Sequence, residues 1–265
     1  MEFLELLAPA RNADIGIAAI DCGADAVYIA GPAFGARQAA GNSMKDIRRL
    51  TEYAHRFGAR IFLTLNTILF DDELAEAERL LAEAKDAGVD AIIAQDLAVW
   101  QMTDLPVHAS TQCAVRTPEK AGFYEGLGAS RIVLEREMSL EQIRSVRSAV
   151  GCELEFFVHG ALCVCYSGQC YMSERISGRS ANRGECIQAS LRPRGRFGQG
   201  AGAEQGPAVA EGLQPGGQAC RSGGCGNMLV QDRGAAEERF LCAECRAGIF
   251  IGIGQIGRRE SGKIP

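Results

Sequence analysis

The chain has 265 residues, 47% hydrophobic and 23% charged, enough to bury one large α/β domain or two smaller ones. A net charge of −5 excludes a surface that is basic over its whole extent, so any nucleic-acid contact has to be local. No run of eighteen apolar residues marks a membrane span, and the acid-bearing opening MEFLELLAPARNADI does not read as a signal peptide; eleven cysteines without an export signal fit a reducing, cytoplasmic setting.

Residues 2–160 alternate short strand-like runs with amphipathic helical ones. Strands are expected at 4–8, 26–30, 60–68, 91–95, 107–111, 131–135 and 154–159. The clearest helix is 72–87, with Leu74, Leu80 and Leu81 on one face and Gly88 at its end. Ser139 followed by Gln142 predicts a capping box for a later helix. A glycine followed by a small apolar residue separates helix from strand at Gly23-Ala24, Gly58-Ala59, Gly88-Val89 and Gly128-Ala129. Such regular βα units imply parallel strands with helical crossovers. Seven of them, with no Gly-x-Gly-x-x-Gly after the first strand, point to an α/β fold of the (β/α)8 TIM-barrel kind rather than a dinucleotide-binding sheet.

In such a barrel chemistry gathers at the carboxyl ends of the strands. Those ends carry Asn66, Gln95-Asp96, Ser110-Thr111-Gln112, Glu135 and His159, and the loop 34–42, with Arg37 and Asn42, lies on the same rim. Any one of them alone is ordinarily a strand-end cap; together they form a polar mouth. Arg37, Asp96, Gln112 and His159 are the candidate catalytic residues.

Beyond the strand Phe156-Phe157-Val158 comes the most unusual stretch, with Cys163, Cys165, Cys170 and Cys186 inside 24 residues. The turn-forming and polar residues among these thiols mark a ligand-rich loop, with reduced core cysteines as the blander alternative. Thiolates hold iron–sulfur clusters in sets of four. The spacing is too open for paired zinc knuckles, although a zinc site stays open as an alternative. His159 is a ligand, an acid–base group or a strand-end residue that steadies the loop, and the last is favoured. Cys163 with His159 is the local pair that nucleophilic proteolysis would need.

The phrases FGARQAAGN (34–42), HASTQ (108–112) and above all EFFVHGALCVCYSGQC followed by NRGEC resemble peptidase family U32, over roughly residues 2–190. The resemblance implies a barrel-like N-terminal domain. For several members it implies a four-cysteine [4Fe–4S] cluster used in oxygen-independent hydroxylation of an RNA base, with prephenate implicated as co-substrate, or of a quinone precursor. By position Cys163, Cys170 and Cys186 match the first three cluster cysteines, while Cys165 stands where the family more often has a non-ligand. The family's collagenase-like name implies a peptidase as well.

The chain therefore divides into a barrel-like domain 1–160, a cysteine-rich metal loop 161–190 and a low-complexity tail 191–265. Residues 192–265 hold 17 of the 32 glycines, and the stretch 192–227 fits neither a helix nor a strand template. A disordered, non-native tail is expected, leaving an incomplete barrel of about seven strands with two unpaired edges. The family's usual continuation, a further cysteine and a strand reading Lys-Ile-Glu-Gly-Arg-Leu-Lys, is missing. Back-translating 227–238 (NMLVQDRGAAEE) and reading one base later permits Ile-Cys-Ser-Phe-Lys-Ile-Glu-Gly-Arg-Leu-Lys, with the cysteine made obligatory by Met228-Leu229. The tail thus reads as the out-of-frame form of that continuation, with the shift near 187–191. The tail cysteines Cys220, Cys225, Cys242 and Cys245 are accidental on this view.

The expected function is an iron–sulfur enzyme that hydroxylates an RNA base in its intact form, impaired here by the frame change. The alternatives are a genuine collagenase-like peptidase and a non-catalytic fragment that binds RNA or protein. The expected partners are rRNA or tRNA, or a peptide, with no DNA and no membrane; the sequence sets no oligomeric state.

Overall fold

In the computed structural model, residues 5–36, 41–159, 166–169, 228–232, 242–244 and 250–252 are described. Seven strands run parallel: β1 Leu6–Ala10, β2 Ala26–Ala30, β3 Arg60–Leu65, β4 Ala91–Ala94, β5 Val107–Ala109, β6 Arg131–Val133 and β7 Glu153–His159. Each pairs with the next in chain order. Between them lie α1 Ala13–Asp21, α2 Met44–Arg56, α3 Leu74–Asp86, the short α4 Val99–Met102, α5 Pro118–Gly126 and α6 Leu140–Ala149. This is the expected barrel of βα units.

Local chemistry sets the boundaries. Asn12, Ser43, Thr117 and Ser139 each cap a helix by accepting a backbone N–H from its first turn. The predicted capping box is present, with Ser139 N donating to Gln142 Oε1 at 2.8 Å and Gln142 N to Ser139 Oγ at 3.3 Å. The recurring glycines end helices in left-handed geometry, as at Gly88 with φ +82°. The expected helix 72–87 begins as a 3₁₀ turn over Asp71–Glu73 and becomes α-helical from Leu74.

Alternation along each strand separates two apolar layers. Val27, Ile29, Ile61, Leu63, Leu65 and Ile92 pack under the helices. Leu7, Ala26, Phe62, Ala91 and Ile93 form a second, interior cluster with Tyr28 and Phe157. At the amino-terminal end of this interior lies a charged network. Arg131, fully buried, donates from Nη1 to Glu5 Oε1 at 2.8 Å and to Glu155 Oε2 at 3.0 Å, and from Nη2 to Glu153 Oε2 at 2.7 Å. Arg60 pairs with the same Glu5. The Arg131 guanidinium stands 5.0 Å from the Phe62 ring centroid, and His108 meets that ring edge-on at 4.7 Å.

The eighth position differs from the expectation. β8, Met228–Asp232, pairs antiparallel with both β7 and β1 and closes the ring. Two unpaired edges attract any short apolar run, and Met228-Leu229-Val230 supplies one out of the glycine-rich tail. β9 (Cys242–Glu244) and β10 (Phe250–Gly252) form a separate two-stranded sheet.

Candidate functional site

At the carboxyl end of β4 and β5 opens a cleft of about 510 Å³, walled by Ile68, Gln95, Asp96, Gln112, Lys120 and Tyr124. The sequence-predicted pair Asp96 and Gln112 therefore meet in one cavity. Gln95 leaves the end of β4 with its side chain buried, and its Nε2 donates to the Gln112 carbonyl oxygen at 3.3 Å. Gln112 sits in a 3₁₀ turn, Thr111–Cys113, started by Ser110 Oγ accepting from Gln112 N at 3.2 Å. The turn ends at Ala114, a non-glycine residue at φ +54°. A left-handed alanine is strained and persists only where surrounding contacts hold it.

Asp96 is committed to the backbone. Its Oδ2 accepts from Leu69 N and its Oδ1 from Ala98 N, both at 2.9 Å, which ties the loop after β3 to the loop after β4. Asn66 and Asn42 act similarly: Asn66 Oδ1 accepts from Ala36 N at 2.9 Å, and Asn42 Nδ2 donates to the Arg11 and Ala30 carbonyls at 3.0 and 2.9 Å. These three hold the rim loops in place. Cys113 also lines the cleft, but burial pushes its thiol up to about 11, and Sγ lies 3.4 Å from the Ala94 carbonyl as donor. A thiol kept protonated is not a nucleophile. Burial likewise raises the Tyr124 phenol, so that group stays a neutral donor.

The described part of the cysteine-rich loop joins the lining of the cleft. Of that loop Tyr166–Gln169 is described, and Gly168 and Gln169 line the cavity. Ser167 docks on Glu137, its N–H and Oγ each 3.0 Å from a carboxylate oxygen. Gly168, at φ +71°, lies so close to the β5 turn that a Cβ would stand 2.4 Å from the Gln112 carbonyl oxygen. Tyr166 is exposed, with the Arg116 guanidinium 5.7 Å from its ring centroid. Arg116 is fixed by Nε and Nη2 donating to Glu135 Oε1 at 3.0 and 2.8 Å. Burial raises the Glu135 carboxyl, and the Arg116 contact opposes that rise.

Of the other predicted residues, His159 is described as the last residue of β7, where its backbone partner is Met228. Arg37, Cys163, Cys170 and Cys186 lie outside the described residues. Three wall residues escape the sequence reading as site residues. Gln95 is visible as a strand-end residue without its orientation, while Lys120 and Tyr124 come from α5 and give no sequence signal. Among the described residues, no group of histidine, cysteine and acidic side chains forms a metal site, and no helix is long and apolar enough to cross a membrane.

Comparison with known proteins follows the same outline. The sequence profile of Peptidase family U32 matches residues 11–193. The chain is 57% identical over 192 residues to the 23S rRNA 5-hydroxycytidine C2501 synthase of Escherichia coli, covering 72% of this chain and 29% of that protein. It is 40% identical over 201 residues to an uncharacterized protease of Methanocaldococcus jannaschii, covering 72% and 49% of the two chains. It is 36% identical over 191 residues to tRNA hydroxylation protein P1 of Bacillus subtilis, covering 70% and 45%. The chain thus spans less than half the length of each of these relatives.

Proposed function

The chain belongs to peptidase family U32, and from that premise we propose that its barrel is the N-terminal part of an enzyme that hydroxylates a base in RNA, rRNA in the first instance, in the cytoplasm. The observation that carries this reading is the 57% identity over 192 residues to a 23S rRNA 5-hydroxycytidine synthase, with the family profile spanning every cleft residue. The cleft supports it physically. It is lined by amides, a phenol and a lysine, groups suited to a heterocycle and its phosphate.

Cys163, Cys170 and Cys186 are the proposed ligands of a [4Fe–4S] cluster. The described part of the loop fits this, because Gln169 lines the cleft and Cys170 follows it directly, with Cys163 three residues before Tyr166. When bound, such a cluster would supply one-electron chemistry. Prephenate as co-substrate, and Arg37 and His159 as acid–base or binding residues, belong to the same proposal. Gln112 and Asp96 then act through the shape of the wall they build.

The name of the archaeal relative favours a second reading, a peptidase. Among the described residues Cys113 is the thiol in the cleft, and its buried, protonated state argues against that role. One experiment separates the two. A host lacking its own rRNA hydroxycytidine synthase receives this gene, as given and with the frame restored after codon 186. Mass spectrometry of 23S rRNA then reads the modification. Hydroxycytidine restored by the repaired gene is the expected result. Its absence, together with gelatin cleavage that survives iron chelation and is lost in Cys163→Ala, overturns the proposal in favour of the peptidase.

A further inference from the structure

Gln95 carries a polar atom that the fold leaves without a use. The side chain is 8% exposed, its Nε2 is engaged with the Gln112 carbonyl, and its Oε1 is buried without a hydrogen-bond partner among the described residues. A buried acceptor without a donor is destabilising, and such groups are rare in native proteins unless a ligand or water completes them. Flipping the amide does not cure it. A flip would set Oε1 against the Gln112 carbonyl oxygen and leave a buried amino group without an acceptor instead.

That carbonyl is itself immobile. It belongs to the 3₁₀ turn between Ser110 and the left-handed Ala114, and Gly168 packs directly on it. Gln95 Oε1 is therefore a buried acceptor held in a fixed place at the wall of the cleft, which Asp96, Gln112, Lys120 and Tyr124 also line. A fixed acceptor selects a donor.

We propose that Gln95 is a specificity residue of the cleft, and that its Oε1 accepts a hydrogen bond from the exocyclic amino group of a cytosine. The inference rests on the RNA-modification reading above and deepens it by naming the atom that recognises the base. Cytosine is the pyrimidine that offers an amino donor at this edge, where uracil offers a carbonyl oxygen that a fixed acceptor repels. Gln112 takes part as a positioning residue, through its backbone.

The test uses the full chain and fluorescently labelled single-stranded RNA with one central pyrimidine, read by anisotropy. One RNA carries cytidine; the other carries pyrimidin-2-one ribonucleoside, which lacks only the amino group. The expected result is binding roughly tenfold weaker to the second RNA, the size of one lost hydrogen bond in a dry site. In Gln95→Met, which keeps the side chain's bulk, both RNAs bind alike at the weaker level. Equal binding of the two RNAs by the unaltered protein overturns the assignment of Gln95 and leaves the RNA reading standing. No binding to either RNA overturns both. Because the two-probe comparison needs no substitution, a variant that fails to fold does not remove the test.

Discussion

Replacing Arg131 by methionine tests whether the charged network at the barrel's amino-terminal end holds its first and last parallel strands together. Arg131 stands on β6 and bonds Glu153 and Glu155 of β7 together with Glu5, which precedes β1. In the variant Glu5 keeps Arg60, and Glu153, 17% exposed, regains water. Glu155 has neither recourse: its side chain is 1% exposed, and its Oε1 has no hydrogen-bond partner among the described residues. Removing one partner of a buried pair costs about 3–5 kcal/mol, because the other charge is left behind. Burial already raises the Glu155 carboxyl, and the Arg131 charge is what chiefly opposes that rise. Without Arg131 the folded-state value climbs further. A raised carboxyl contributes stability that is present below its unfolded value of 4.5 and is lost as pH increases towards the folded value. Urea unfolding should therefore show the full penalty near pH 7.5 and a clearly smaller one near pH 5. Adding Glu155→Gln should recover about 2 kcal/mol at the higher pH, in line with ~1.4 kcal/mol for each pKa unit no longer opposed. A penalty below about 1 kcal/mol, or one that is equal at both values, would refute the reasoning.

Two further outcomes follow from the same geometry. Gly168→Ala adds left-handed strain of about 1–2 kcal/mol and a clash with the Gln112 carbonyl, so hydrogen exchange at the Ser167 amide should quicken markedly. Gly23→Ala, with open space around its Cβ, should leave that amide unchanged, and equal protection in both variants would sink the close-packing argument. His108 is held neutral, well below its usual 6.5, first by burial and then by Arg131, with Glu153 acting the other way and Arg60 adding to the lowering. The unfolded chain takes up that proton, so stability should fall as pH drops below about 6.5, and His108→Gln should flatten this limb of the thermal-denaturation profile.

The strands and helices were legible because each βα unit repeats one local grammar: a capping side chain, an apolar stripe, a left-handed glycine and a short apolar strand. Ends were read less well. The strand expected to reach 68 stops at Leu65, because Asn66 and Thr67 turn to bond the loop at Phe34–Ala36. The charged interior was not legible at all. Arg60 and Arg131 each open a strand, where an exposed charge is unremarkable, and Glu5 lies 126 positions from its partner. Only closure of the ring brings these groups together. At the rim the sequence picked Asp96 and Gln112 for their polarity. The orientation of Gln95, set by a backbone carbonyl, has no counterpart in a string of residues.

The antiparallel β8 bears on the frame of the tail. Read one base later, the Met228-Leu229 codons require a cysteine, and Met228 is the residue paired with His159 at the carboxyl end of β7. The alternative reading therefore puts a cysteine at position 228, paired with His159, which precedes Cys163 by four residues in the chain. A gene repaired between codons 187 and 191 is predicted to give a chain that takes up about four iron atoms on anaerobic reconstitution. The chain as given should take up fewer and unfold at lower temperature. Iron content and unfolding temperature that match in the two proteins, or independent sequencing and intact-mass measurement showing the present frame in the native chain, would remove the frame argument. In that case β8 would have to be taken as this protein's own solution to closing a seven-stranded parallel sheet.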